Sequence, residues 1–73
     1  MQNILNKLKQ ERDELEIKIN KLTKFILDDN FNDLVKDEVD KILLQKQLVV
    51  MEEYSSLLFQ RIHIYELHKQ VGN

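Results

Sequence analysis

The sequence lacks cysteine and proline, and its only glycine is Gly72. Without cysteine the chain forms no disulfide and no thiolate metal site, and this absence fits a reducing compartment. Proline and glycine are the residues that most often end helices, so their absence from the body of the chain permits long uninterrupted helices. A small chain without disulfides or bound metal needs very good helix packing or self-association to be stable.

The sequence also lacks an excess of one charge and any long apolar run. The formal net charge is −2 and the calculated pI is about 5.6, with acidic and basic residues interspersed. A general nucleic-acid-binding protein needs a basic face to displace counterions from phosphates, so the charge argues against that class. No stretch approaches the roughly 20 apolar residues that cross a bilayer, and no signal-peptide pattern is visible. We therefore expect a cytoplasmic protein without membrane or general nucleic-acid binding.

An apolar repeat at helical spacing occupies the first third of the chain. One row has members seven residues apart, and a second row lies four residues after three of them: Met1, Leu8, Leu15 and Leu22, then Leu5, Ile19 and Ile26. This spacing places both rows on one face and predicts a helix over residues 2–27. Arg12 takes the remaining place in the second row.

Residues 28–35 interrupt the repeat and predict a turn. The segment is rich in Asp and Asn, which form local bonds to the backbone and are weak inside helices. Its carboxylates raise the alternative of a calcium-binding loop, but the central Gly and terminal Glu of an EF-hand are missing. We predict a capped turn, with Phe31 and Leu34 tucked against the end of the hairpin.

A second helix is predicted over residues 36–71, which gives an all-α chain with a single domain, residues 1–73. Acidic residues crowd its first turns, where they complement the positive end of the helix dipole. Two apolar heptad rows run side by side along it: Leu43, Val50, Leu57, Ile64 and Val71, then Leu44, Met51, Leu58 and Tyr65. With only a turn between them, the two helices are expected to pack as a long antiparallel hairpin.

The hairpin is expected to be incomplete on its own. If the chain folds back at the centre of the predicted turn, Leu15 faces Gln47 and the first helix ends near Arg61. Apolar side chains beyond that level then lack a partner, and each forgoes roughly 1.5–3 kcal/mol while it stays wet. These predicted interface residues are Ile62, Ile64, Tyr65, Leu67 and Val71. The sequence therefore predicts a symmetric homo-oligomeric helical bundle, a dimer or higher.

A row of planar polar side chains marks a candidate ligand site beside the apolar rows. Its members recur every seven residues on the second helix: Gln47, Tyr54, Arg61 and His68. Guanidinium groups bind phosphates, and aromatic rings stack on bases. At an interface between chains, this row suits a ligand with a phosphate and a base. The alternative is that the four residues only rim the bundle and bond to one another across the interface.

The sequence shows no spacing typical of a metal site or of catalysis. His63 and His68 are five residues apart, so they do not share a helix face as zinc-binding pairs do. No Glu-x-x-His pattern of a di-iron bundle occurs, and no nucleophile, base and orienting group are arranged for catalysis. We expect a protein that holds no metal or cofactor and is not an enzyme.

Short segments between residues 8 and 62 carry a family resemblance. They are ERDEL at 11–15, KINKL at 18–22, Phe25, Ile26, Phe31, Leu34, LLQKQL at 43–48, Met51, Tyr54, Arg61 and Ile62. Together they resemble a family of small bacteriophage-encoded helical-hairpin proteins, mostly without assigned function. Such proteins often open the second helix with Ser. This chain has Val35 there, so Asp33 or Asp37 is expected to cap the helix.

The resemblance implies a phage accessory protein, a class that often counteracts host immunity. The hairpin is similar in architecture to oligomeric sponges that hold cyclic-nucleotide or related immune messengers between protomers, which is an analogy of fold. The leading hypothesis is an anti-defence protein that sequesters a nucleotide-derived signal, such as a cyclic nucleotide or an ADP-ribose derivative, at its inter-chain interfaces. The alternatives are an inhibitor of a host defence protein, such as a CRISPR nuclease, and a structural or regulatory coiled-coil adaptor.

Overall fold

The computed structural model describes residues 2–71, with side chains described for residues 3–69. Over this range the chain is all-α, without strands: α1 spans Gln2–Leu27, α2 spans Phe31–Leu34 and α3 spans Glu38–Val71. The long helices α1 and α3 run antiparallel, since Lys9 pairs with Glu66 while Glu16 bonds to Ser55. The rod measures 56 × 16 × 15 Å. The predicted antiparallel hairpin is confirmed.

The bend begins with a local turn of the kind that Asp and Asn favour. The Asp28 carboxylate accepts a hydrogen bond from the Asn30 N–H at 2.8 Å. The backbone N–H groups of Phe31 and Asp33 then donate to the carbonyls of Asp28 and Asn30. Bonds of this kind compete with helix geometry, which explains why α1 ends at Leu27. The first helix thus ends where the Asp- and Asn-rich segment begins, and a short helix lies within that segment.

The short helix α2 closes the end of the hairpin. The Phe31 side chain is buried, and its ring stands edge-on to that of Phe25 with the ring centroids 5.5 Å apart. The prediction that Leu34 is also tucked in is wrong, since its side chain is 65% exposed. The backbone leaves helical geometry at Val35, and the half-buried Val35 takes the inward place instead.

An aspartate caps the start of α3. Asp37 Oδ1 accepts hydrogen bonds from the backbone N–H groups of Val39 at 2.8 Å and of Asp40 at 3.2 Å. A helix start leaves its first four N–H groups without a partner in the helix, and this carboxylate satisfies two of them. Of the two capping residues predicted from the sequence, Asp33 and Asp37, the structure selects Asp37.

Replacing Asp37 with alanine is expected to lower the free energy of unfolding by about 1 kcal/mol, because N–H groups at the start of α3 lose their acceptor. Urea denaturation followed by circular dichroism, at one fixed protein concentration, measures the change. Asp29→Ala is the matched control, since the exposed Asp29 carboxylate accepts no hydrogen bond from the described residues. Equal losses in the two variants would show that Asp37 does not cap α3.

The core is a seam between α1 and α3. Leu58 at its centre has no exposed surface. The rest of the cluster comes from both helices: Leu5, Leu8 and Ile62 are buried, and Leu15 and Tyr65 pack against them. Seam residues alternate three and four apart, as in a coiled coil. Of the two apolar rows of α3, the row that contains Leu58 faces α1, and the row that contains Leu57 faces away from it.

The pairing of the long helices differs from the predicted register by roughly two helical turns. The prediction set Leu15 opposite Gln47, but the next residue, Glu16, lies opposite Ser55 and is hydrogen-bonded to it. The prediction centred the bend on residues 28–33, whereas α2 and the extended residues 35–37 carry it further along the chain. When the centre of the bend moves by one residue along the chain, each residue of α1 pairs with a residue of α3 that lies two positions further on. The predicted register is therefore wrong.

The corrected register changes which apolar residues lack cover. Ile62 and Tyr65 were predicted to extend beyond the first helix, but they pack in the core of the same chain. The reason for expecting these two at an interface between chains therefore fails. Ile64 is 50% exposed and Leu67 is 44% exposed, as predicted for uncovered residues. The side chain of Val71 lies outside the described residues.

Candidate functional site

Two grooves run along the hairpin, one on each side of the seam. Each is bordered by a row of α3 residues that lies next to the seam at seven-residue spacing. The Tyr54 row consists of Gln47, Tyr54, Arg61 and His68, and the Phe59 row consists of Gln45, Glu52, Phe59 and Glu66. Because the rows lie on opposite sides of the seam, a partner bound along one leaves the other open.

The Tyr54 row lies on one exposed face of α3 but does not form a pocket within one chain. All four side chains are exposed, and neighbours in the row are about 10 Å apart along the helix axis. Gln47 contacts the sulfur of Met51 at 4.0 Å. Tyr54, Arg61 and His68 make no hydrogen bond or ion pair with other described residues. Three of the four polar side chains thus have no partner in the described chain, and the role of the row in ligand binding stays a prediction.

An exposed apolar row lies directly beside the Tyr54 row. We call it the apolar stripe; it consists of Leu43, Val50, Leu57 and Ile64, whose side chains are 50–62% exposed. Ile42 and Val49, each 52% exposed, add exposed apolar side chains on another face of α3, and the row that contains Lys46 and Glu53 separates them from the stripe. An exposed apolar row of this length is a candidate contact surface for another chain. Uncovered apolar side chains therefore occur along most of α3, including Ile64 and Leu67 near its C-terminal end.

The other groove contains a cleft of about 350 Å³. We call it the Arg12 cleft; its walls are Arg12, Glu16 and Ile19 of α1 and Glu52, Ser55, Ser56 and Phe59 of α3. Ser55 occupies a seam position of α3, where its neighbours in the seam, Met51 and Leu58, are much larger. The small Ser55 side chain leaves room that a larger residue would fill.

Arg12 occupies a seam position of α1 and lines the cleft. Its guanidinium carbon is 5.0 Å from the centre of the Phe59 ring, which is a cation–π arrangement. Its Nε is buried and has no hydrogen-bond partner in the described part of the chain. A buried donor without a partner destabilises a folded chain, commonly by about 1–3 kcal/mol. Arg12 is therefore held against an aromatic ring while hydrogen-bond donors of its guanidinium remain unused.

The acidic side of the cleft is organised by one hydrogen bond. Ser55 is buried, and its hydroxyl donates to Glu16 Oε1 at 2.5 Å. Glu16 is four residues from Arg12, the spacing of a helical ion pair, yet no ion pair between them forms in the described chain. Glu52 on the opposite wall has no ion pair or hydrogen bond with the described residues. The cleft thus places an unpaired guanidinium beside carboxylate oxygens that can accept hydrogen bonds.

The Arg12 cleft was missed from the sequence because its walls come from two helices whose register was wrongly predicted. A signal was present in the seam itself. Arg12 and Ser55 each occupy a position whose neighbours in the seam are Leu, Ile or Met. Two polar exceptions in an apolar seam predict a polar feature, but only the pairing of the helices shows that both residues face the same cleft.

Acidic and histidine side chains are spread along the helices. Within residues 3–69, no three His, Cys, Asp or Glu side chains lie together in a way that could hold a metal ion. As for membrane spans, the described helices include none with the length and hydropathy to cross a bilayer.

Comparison with known protein families gives a match over most of the chain. A family model described as Sequestin matches residues 2–64. The matched range includes the Arg12 cleft, the apolar stripe and, except for His68, the Tyr54 row. No curated protein and no solved structure matches the chain.

Proposed function

We propose that this chain, which belongs to the Sequestin family, is a phage anti-defence protein that sequesters a nucleotide-derived immune signal between its protomers. The family is named for sequestering, and the name supports a role in holding a molecule. The phage setting follows the resemblance of the hairpin to phage accessory proteins. The observation that carries the proposal is the apolar stripe, which lies directly beside the exposed polar groups of the Tyr54 row.

The apolar stripe supports association with a second copy of the chain. Each of its side chains is at least half exposed, and covering one such side chain contributes roughly 1.5–3 kcal/mol. The stripe runs along most of α3, so an element of similar length is needed to cover it, and a second α3 supplies one. A two-fold axis would set the stripe against itself, since an isologous interface uses one patch twice.

Self-association through the stripe would place the Tyr54 row at the edge of the interface. Arg61 presents a planar fork of donors that matches phosphate oxygens. Tyr54 and His68 present rings on which a base can stack, and the Gln47 amide both donates and accepts hydrogen bonds. Rows from two protomers would then face a shared ligand. This combination favours a molecule with phosphates and bases, such as a cyclic nucleotide or an ADP-ribose derivative.

Isothermal titration calorimetry with cyclic dinucleotides, cyclic trinucleotides and ADP-ribose derivatives tests this function. We expect saturable binding of at least one of these ligands at the inter-protomer site, because the row combines phosphate-binding and stacking groups. Arg61→Ala is expected to weaken that binding at least tenfold, since a hydrogen bond to a charged group contributes about 1.5–3 kcal/mol. Sedimentation should show an unchanged oligomer, because Arg61 lies beside the apolar stripe rather than within it.

Lys46→Ala is the matched control for this experiment. It removes one positive charge from an exposed position of the same helix, outside the Tyr54 row, and should leave the affinity unchanged. Ligand recovered from the complex should be chemically intact by mass spectrometry, because the proposal assigns no reaction to the chain. Absence of binding across the whole panel, or an equal loss in both variants, would refute the proposed site.

The apolar stripe also supports a second function, inhibition of a host defence protein such as a CRISPR nuclease. An amphipathic helix of the host protein would cover the stripe in the same way as a second α3. The protein would then copurify with that host protein from infected cells and would bind none of the small molecules. A structural or regulatory adaptor would instead be recovered with phage proteins.

A further inference from the structure

We propose that the Arg12 cleft is a second binding site, which takes the ribose phosphate of a nucleotide within a single hairpin. The nucleotide class of the ligand rests on the proposed function, whereas the position of the site rests on the geometry of the cleft. Its elements are one guanidinium, two carboxylates and one aromatic ring, from Arg12, Glu16, Glu52 and Phe59.

The unused donors of Arg12 are the first support. Its Nε is buried and has no partner among the described residues, although Glu16 lies one helical turn away. The guanidinium is instead held over the Phe59 ring at 5.0 Å, which fixes its position without occupying its in-plane donors. A guanidinium in this state is ready to form paired hydrogen bonds with a phosphate group.

The position of Arg12 in the seam is the second support. The flanking seam residues of α1, Leu8 and Leu15, are aliphatic, and a Leu in place of Arg12 would pack better than a buried donor without a partner. Ser55 opposite is likewise smaller than its neighbours in the seam and leaves the cleft open. Stability is given up at both positions for an open cleft with polar groups on its walls, as is typical of a binding site.

The carboxylates decide what kind of anion the cleft accepts. Inorganic phosphate would pair with Arg12 but would be repelled by Glu16 and Glu52, because like charges at short range disfavour each other. A ribose phosphate carries the same charged group but offsets the repulsion, since its hydroxyls donate to carboxylate oxygens as they do in dinucleotide-binding proteins. Glu52 has no partner among the described residues, and Glu16 uses one oxygen for the Ser55 hydroxyl, so acceptors remain for the sugar.

The size of the cleft and the exposure of Phe59 fit one nucleotide unit. A volume of about 350 Å³ is at the lower end for pockets that bind small molecules. Phe59 is 55% exposed even though Arg12 covers one of its faces. An attached base can therefore stack on the remaining ring surface. The cleft also borders the groove opposite the Tyr54 row, so it stays open when a second copy covers the apolar stripe.

Calorimetric titration with AMP, inorganic phosphate and 2′,3′-dideoxy-AMP tests the site on the full chain. We expect AMP to bind with one molecule per chain, inorganic phosphate to give no saturable heat, and dideoxy-AMP to bind at least tenfold more weakly. The proposal is wrong if AMP does not bind or if it binds no better than inorganic phosphate.

Two variants with a matched control assign the binding to the cleft. Arg12→Leu is expected to abolish AMP binding while the melting temperature rises, because the seam gains an apolar contact in place of a buried donor without a partner. Glu52→Gln, an exposed change, should weaken AMP binding at least tenfold, because the ribose hydroxyls lose a charged acceptor, and should not weaken the binding of dideoxy-AMP. Glu53→Gln removes the adjacent carboxylate, which does not line the cleft, and should change neither. AMP binding that survives Arg12→Leu, or equal effects of the two glutamate variants, overturns the proposal.

The experiments distinguish a failure of the proposed Arg12 cleft from a failure of the proposed inter-protomer site. Arg61→Ala should leave AMP binding in the cleft unchanged, because Arg61 lies on the other side of the seam. If the protein binds a cyclic dinucleotide through Arg61 but does not bind AMP, only the proposal of the Arg12 cleft is refuted. If nucleotide binding depends on Arg12 and not on Arg61, only the proposal of the inter-protomer site is refuted.

Discussion

Leu58→Ala is expected to remove about 2–5 kcal/mol from the free energy of unfolding. Leu58 has no exposed surface and lies in the core cluster with Leu5, Leu8 and Ile62, so truncation loses buried contacts and leaves a cavity in the seam. Small domains have a total stability of roughly 0.05–0.15 kcal/mol per residue, which makes this loss a large part of the whole. Urea denaturation followed by circular dichroism should show the transition at a clearly lower urea concentration.

The neighbouring residue provides the control for Leu58. Leu57 is the same residue type on the same helix but is 57% exposed, so Leu57→Ala should change the stability of the isolated hairpin by no more than about 0.5 kcal/mol. Both variants are compared at low protein concentration, because association through the apolar stripe would add a concentration-dependent contribution. Similar losses for the two leucines would mean that α3 presents a different face to α1.

Leu57→Glu is expected to dissociate the proposed assembly while the hairpin stays folded. Each copy loses an aliphatic contact of roughly 1.5–3 kcal/mol and gains a carboxylate that must leave water in the interface. A two-fold interface contains the change twice, so the association constant should fall by at least about a hundredfold. Analytical ultracentrifugation across a range of micromolar concentrations measures the shift, and circular dichroism confirms that helix content is kept.

Ile17→Glu is the matched control for Leu57→Glu. Ile17 is an isoleucine of α1 that is 55% exposed, and it lies on the opposite helix from the apolar stripe. The same charge placed there should leave the oligomer intact. The proposal of self-association fails if the unchanged protein sediments as a monomer at micromolar concentration. The assignment of the interface to the stripe fails if both glutamate variants dissociate the assembly equally.

Features with local causes were predictable from the sequence. The seven-residue repeats predicted both long helices, because side chains at that spacing share one helix face in any straight helix. Asp28 and Asp37 accept hydrogen bonds from backbone groups only two or three residues away, so the turn and the cap needed no knowledge of the rest of the fold. Tyr54 and Arg61 likewise share an exposed face because of their spacing alone.

The register was not predictable in the same way. It depends on how far the bend extends, and α2 together with the extended residues 35–37 lengthens it beyond the cluster of Asp and Asn. An error of a few residues in the position of the bend becomes an error of twice that size in which residues of α1 and α3 lie opposite each other. For that reason the prediction left Ile62 and Tyr65 without cover, and it did not bring Arg12 near Ser55 or Phe59.

The sequence by itself determined that this protein consists of two long antiparallel helices with more apolar surface than one hairpin buries. Its repeats and the lack of helix-breaking residues in the body of the chain favour this arrangement, because two amphipathic helices joined by a turn can bury their apolar rows against each other. Only the tertiary structure decided that the Leu58 row faces α1 and that the apolar stripe faces away, since either of the two apolar rows of α3 is compatible with a seam. The same pairing created the Arg12 cleft, because contacts between residues far apart in the chain depend on the length and geometry of the bend that joins them.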